Sequence, residues 1–318
     1  MKKISPLFTA LIITGIAVIV LLWFLMSSSY RSDPPKPRQS VSVIVSDSTD
    51  SRWVRFQAGL EKAADDYGIS LNYVETGPYE NAEEQLHLFT SAASNSDGLI
   101  VQFEKADGFK TAVQDISRTT VLEFIECGET FGTAEDGSYA GIGTDSRAIG
   151  MSLAETVMEN EKQNPRIGIL SGNQRLAVNQ ERLTALREAL ASFGIEPVFV
   201  TDTAGEESLY EEADVIIALD NANLEQAGDL LRTKEDRAVK LYGIGCSDKT
   251  IYYLDRGFIA AMIVPDDFRM GYLAMTEVHN RLNTPNIPMK DRQVSFEVIT
   301  KDNLYSKKHE SMLFPIIN

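Results

Sequence analysis

Short β-branched runs that alternate with amphipathic helices predict an α/β protein of two doubly wound parallel-sheet lobes, preceded by an N-terminal transmembrane helix. Three observations carry this. The alternation runs through most of the 318 residues. It restarts near Asp145, which suits two sheets better than one eight-unit barrel. And Leu7 to Met26 carries no charge over a length that spans a ~30 Å hydrocarbon core.

In chain order, the predicted anchor comes first. Residues 1–6, with Lys2 and Lys3, read as a cytoplasmic tail, 7–26 as the anchor and the proline-rich 27–40 as a linker. A cleaved signal peptide, ending near Ser27–Ser29, is the weaker alternative, because its apolar core is shorter. Neither Cys127 nor Cys246 lies near enough to carry a lipid. Val41–Val45 then reads as a buried strand, and Trp53, Phe56, Leu60, Ala64 and Tyr67 mark one helix face. Strands follow at 71–74, 98–102, 121–125 and 139–143, with helices around Phe89 and Val113. The second series has strands at 166–170, 198–200, 215–219, 240–244 and 258–264. Its helices carry Leu153, Leu186, Leu224–Leu231, Thr250–Leu254 and Phe268–His279. Asp145 reads as an N-cap.

The charge is uneven. The total is −16, from 46 acidic and 30 basic residues. Residues 1–40 hold five basic residues and one acid, Asp33, so the body is strongly acidic. That excludes a nucleic-acid footprint. The three histidines are scattered and the two cysteines read as free thiols, so no metal is expected. The segment 141–150, GIGTDSRAIG, fails the G-x-G-x-x-G spacing, and no phosphate loop or nucleophile–base pair is apparent. No cofactor and no enzymatic reaction are expected.

In such sheets ligands lie beyond the carboxyl ends of the strands. Those ends hold Ser46–Trp53, Gln102–Glu104, Glu126–Cys127, Ser171–Asn173, Asp220–Asn221 and Gly245–Ser247. Carboxylates and amides there suit the vicinal hydroxyls of a sugar. Trp53 is either a core anchor or a flat face for a sugar ring. Glu126 and Asp220 are either ligand contacts or solvated or capping carboxylates.

VSVIVSDSTDSRWVRFQAGLEKAADDYGISLNYV (41–74) resembles the opening of ribose- and galactose-type periplasmic binding proteins. AGIGTDSRAIGMSLAETV resembles that family's crossing into its second lobe. LYGIGCSDKTIYYLDRGFIAAMIVPDDFRMGYLAM resembles its return, and VITKDNL its closing strand. The resemblance implies two lobes joined by three crossovers, 41–144 with 266–292 and 145–265 with 293–305, then a tail at 306–318. It places ligand contacts on Asp50, Arg52, Trp53, Gln102, Glu126, Arg182, Asp220 and Asp266. It departs where an aspartate is expected, at Gly245, and where a glutamine is expected, at Pro265.

The function so implied is a membrane-anchored extracytoplasmic solute-binding protein. It would close on a sugar or similar polar molecule and serve an ABC permease or the sensor region of a histidine kinase. The alternative is an interaction module with a degenerate cleft.

Overall fold

The architecture follows from where apolar runs stop and helix signals start. The computed structural model describes residues 23, 38–79, 81–104, 109–127, 134, 136–161, 164–233 and 239–314. Apart from Trp23, the expected anchor lies outside these residues, and no described helix is long and apolar enough to cross a membrane. Gln39–Asn318 form one compact unit.

Strands β1 (Ser40–Ile44), β2 (Ser70–Val74), β3 (Gly98–Val101), β4 (Val121–Ile125) and β5 (Tyr139–Gly143) alternate with α1 (Trp53–Tyr67), α2 (Ala82–Ala93) and α3 (Phe109–Ile116). The second series is α4 (Ser146–Asn160), β6 (Ile167–Leu170), α5 (Ala177–Ser192), β7 (Phe199–Thr201), α6 (Leu209–Glu212), β8 (Val215–Ala218), α7 (Asn221–Arg232), β9 (Lys240–Ile244), α8 (Asp248–Asp255) and β10 (Ala261–Pro265). The chain then gives α9 (Asp267–Asn283), β11 (Arg292–Gln293), β12 (Phe296–Thr300) and α10 (Glu310–Leu313).

Two six-stranded sheets result, ordered β11-β5-β4-β3-β1-β2 and β12-β10-β9-β8-β6-β7. All pairs are parallel except β10 with β12. The chain passes between sheets three times, after β5, after β10 and between β11 and β12. The crossings support one another. Val294 N–H donates to Gly143 O at 2.9 Å, and Asp266 N–H donates to Ser295 O at 3.0 Å.

Asp145 caps α4 by accepting from Ala148 N–H at 2.8 Å, as its position before the apolar face predicts. The strand expected at 258–264 starts later, at Ala261. Gly257 ends α8 with a left-handed φ of 79°, and the Phe258 amide turns back to Tyr253 O at 2.8 Å. Those residues close a helix and leave no amide for the ladder.

Each sheet is covered on both faces. Helix α9 returns to the first lobe, where Met270, Ala274, Met275 and Val278 share a core with Val43, Phe56 and Leu60. Phe89, Phe103, Phe109 and Phe124 fill the opposite face. In the second lobe Ile149, Leu153, Leu186 and Leu190 cover one face. Leu224, Tyr253, Leu304 and Leu313 cover the other. The segment after β12 thus belongs to a core. Cys127 and Cys246 are free and buried.

Helices α1 and α9 touch backbone to backbone. A Cβ at Gly59 would stand 2.0 Å from Phe268 O, and one at Gly271 would stand 2.1 Å from Phe56 O. Only hydrogen fits at either place. Gly271→Ala should therefore push the helices apart and cost ~1–3 kcal/mol in urea denaturation. An unchanged midpoint would show that the helices are not held this closely.

Candidate functional site

Residues from both lobes converge where β1, β3 and β4 end opposite β8, β9 and β10. Glu126 follows β4 directly and sits at φ 48°, a left-handed backbone that costs ~1–3 kcal/mol for a residue with a side chain. Its amide donates to Ile142 O at 2.9 Å. Arg52, just before α1, donates to Glu126 Oε2. Arg182, from α5 of the other lobe, donates to Glu126 Oε1 at 3.0 Å and to Asn179 Oδ1 at 3.2 Å. Glu126 and Arg182 are 1% exposed each, so this is a fully buried ion pair between lobes.

Burial alone would push the Glu126 pKa up, but Arg52 and Arg182 outweigh it and hold the carboxyl below its ordinary value. Burial also lowers Arg182, against the pull of Glu126. Arg52 is opposed by burial too, yet Glu126, Asp267 and Asp50 together raise it. The guanidinium of Arg52 lies 4.2 Å above the Trp53 ring.

Three aspartates surround this centre. Asp50 Oδ1 accepts from the Arg52 amide and from Asn221 Nδ2, both at 2.9 Å. Asp220 caps α7 through Asn223 N–H at 2.9 Å. Asp267 opens α9 at 4% exposure, with Oδ1 unpartnered. Burial raises all three. For Asp267 burial wins over Arg52 and takes the value to about 7.

Arg52, Arg182, Asp220, Asn221, Ile244, Gly245, Cys246, Pro265 and Asp267 line one cavity of about 10 Å³. That is room for about one water. Several buried polar atoms have no partner here: Arg182 Nε, Asn221 Oδ1 and Asp267 Oδ1 on the cavity-lining residues, with Gln102 Nε2 after β3 of the first lobe. Such orphans are rare in folded proteins.

The expected site residues therefore have distinct fates. Arg52, Glu126 and Arg182 form one cluster, and Asp220 lines the same cavity. Asp50 reaches it through Asn221. Gln102 is buried, with Oε1 accepting from Ser46 N–H at 3.3 Å. Trp53 is 2% exposed and packs edge-on against Phe56, a core anchor that keeps a free indole N–H. Asp266 does not line this cavity, and its neighbour does. β10 ends at Pro265, so Asp266 becomes the N-cap of α9 and accepts from Arg269 N–H, while Asp267 lines the cavity.

Asp267 and Arg55 stood outside the sequence expectations, while Asn221 and Glu104 were expected only as members of strand-end loops. Asn221 explains the glycine at 245, since a Cβ there would stand 2.7 Å from Asn221 Oδ1. Glu104 accepts across the cleft from Asn173 Nδ2 at 2.6 Å and pairs with Arg175 at 2.9 Å. Arg55, from α1, donates to Cys246 O and Leu313 O, both at 2.8 Å, in the second lobe. A helix-opening acid or a mid-helix arginine carries no local signal of such a role.

With this geometry in view, comparison places the chain. The model of the periplasmic binding protein domain matches residues 41–284. The chain belongs to the periplasmic binding protein family, with the type I two-lobed fold. A carbohydrate-transporter solute-binding protein from Agrobacterium radiobacter, solved with D-arabinose, is 17% identical with a TM-score of 0.77, over 87% of this chain and 99% of that one. GanP, a glucose-galactose binding protein from Geobacillus stearothermophilus, is 20% identical with a TM-score of 0.72, over 85% and 100%. XylFII in its complex with LytSN is 18% identical with a TM-score of 0.71, over 84% and 99%. No curated protein sequence matches the chain.

Two expectations follow from the electrostatics. Asp267 stays protonated in the folded protein up to about pH 7, against an ordinary value of 3.8 in the unfolded chain. Its stabilising share is thus complete below pH 3.8 and lost as pH rises to about 7. Asp267→Asn should gain on the wild type across that window, by up to ~4 kcal/mol, in urea titrations at stepped pH. A pH-independent difference would refute the assignment. Arg182→Met leaves Glu126 with one cation and should cost ~3–5 kcal/mol. A loss below 1 kcal/mol would mean the pair is not buried in solution.

Proposed function

We propose that this chain is a membrane-anchored extracytoplasmic binding protein that takes a sugar or similar polar small molecule between its lobes. The observation that carries this is the set of unpartnered atoms on both lobes, Gln102 Nε2 on one side, Arg182 Nε and Asn221 Oδ1 on the other. Hydroxyl groups both donate and accept, so a polyhydroxy solute answers donors and acceptors together. Family membership and the sugar-bound structural neighbours support the reading. The uncharged stretch at 7–26 supports the anchor.

Binding fits the chemistry better than turnover. Cys246 lines the cavity, but burial pushes its thiol up to about 12, so it is no nucleophile at neutral pH. Arg52, Glu126 and Arg182 hold one another.

Closure on the solute would convert occupancy into a surface that a permease or the sensor region of a histidine kinase reads. A neighbour solved with LytSN supports the second partner as readily as the transporter proteins support the first. A specific observation favours a second reading, a ligand-independent interaction module. The cavity holds only about 10 Å³, and Glu126–Arg182 and Glu104–Arg175 already join the lobes directly.

Thermal and urea unfolding of the full chain with a panel of sugars and related polyols separates the two. A true ligand at 100 times its dissociation constant adds ~2.7 kcal/mol. Gln102→Ala and Asn221→Ala should abolish that gain while the unliganded chain stays folded. A folded chain that no panel member stabilises favours the interaction module.

A further inference from the structure

The cleft gathers four acidic groups, Asp50, Glu126, Asp220 and Asp267, and two guanidiniums, Arg52 and Arg182. Both guanidiniums are engaged by one carboxylate, Glu126. A further cation, Arg55, donates to two carbonyls and to the exposed Asp248, and its pull on Asp267 is weaker than that of Arg52 or Arg182. Lys249 is likewise engaged by Asp229 at 2.5 Å and stands 3.8 Å from Glu225.

Two cavity-lining residues also present unanswered acceptors. Asp267 Oδ1 and Asn221 Oδ1 are buried with no donor, at residues 4% and 3% exposed. Arg182 Nε is the unanswered donor in the same cavity lining. An ammonium group has three hydrogens to donate and no acceptor to satisfy. A hydroxyl beside it would accept from Arg182 Nε. An ammonium seated there would favour the ionised form of Asp267, whereas an added anion would meet acidic groups that burial already keeps from ionising.

We propose that the solute of this cleft carries a protonated amine beside its hydroxyl groups, of the amino-sugar or amino-polyol class, seated on Asp267 and Asn221, and that sugar acids are excluded. This rests on the solute-binding reading above and narrows it. Entry requires the lobes to part, because the closed cavity of about 10 Å³ admits no sugar. The amine then meets these two acceptors when the lobes close again.

The test is calorimetric titration of the full chain, in detergent micelles at neutral pH, with matched sets. These are D-glucosamine, D-glucose, N-acetyl-D-glucosamine and D-glucuronate, with the corresponding galactose and mannose series. The amine should bind at least tenfold tighter than its neutral parent in at least one series. N-acetylation, which keeps the nitrogen but removes its charge, should abolish that advantage, and the acid should not bind. Asp267→Asn should bring amine and neutral affinities within about threefold of each other. If that variant does not fold, the N-acetyl comparison on the wild type decides alone. A neutral sugar or an acid that binds as tightly as the amine overturns this inference and leaves solute binding standing. A folded chain that binds no member overturns both.

Discussion

The structure turns on a carboxylate that cannot stand alone. Glu126 lies where water does not reach, and an ion of its size stripped of water costs several kcal/mol even after relaxation. Arg52 and Arg182 meet that cost, one from each lobe. The strained backbone at Glu126 makes sense in this light, since the left-handed turn directly after β4 lets the carboxylate meet both guanidiniums. The lobes are thus closed around an ion cluster supplied by the protein itself.

That cluster also sets the terms for any solute. A ligand has to exceed the free energy of the direct bonds between the lobes, not just fill space. Glu104 with Asn173 and Arg175, Asn221 with Asp50, and Arg55 with two carbonyls all hold the closed form without help. Differential affinity for the closed state is what converts occupancy into a signal or a delivery. A cleft already closed by its own charges raises that requirement, and only groups left unpaired can supply it.

Much of this was legible in the sequence, for physical reasons. Parallel strands buried on both faces read as continuous apolar runs, so β1, β3, β4, β6 and β8 stand out. Asp145 declared itself as a cap because it precedes an apolar helix face. The two-residue β11 and the four-residue α10 carry no period and stayed invisible. At the cleft, Arg52, Glu126 and Arg182 were readable through the family resemblance, but their mutual pairing was not, because it joins residues 56 and 74 positions apart. Asp266 and Asp267 could not be told apart from sequence. Which of two adjacent acids caps the helix depends on where the strand releases the chain.

The threading of the two lobes bears on how the chain is made. The first lobe takes its strands from residues 40–143, but its core is completed by Met270, Met275 and Val278 on α9 and its sheet by β11. The second lobe in turn needs Leu304 and Leu313. Neither lobe can finish folding until nearly the whole chain has emerged, since contacts this distant in sequence form late. A nascent chain with two unfinished cores stays extended longer, and an extended chain is the form in which a polypeptide can be threaded across a membrane. The same interleaving removes any stable half-protein, so a chain interrupted before α9 would expose Val43, Phe56 and Leu60 to solvent and to proteolysis rather than persist as a single lobe.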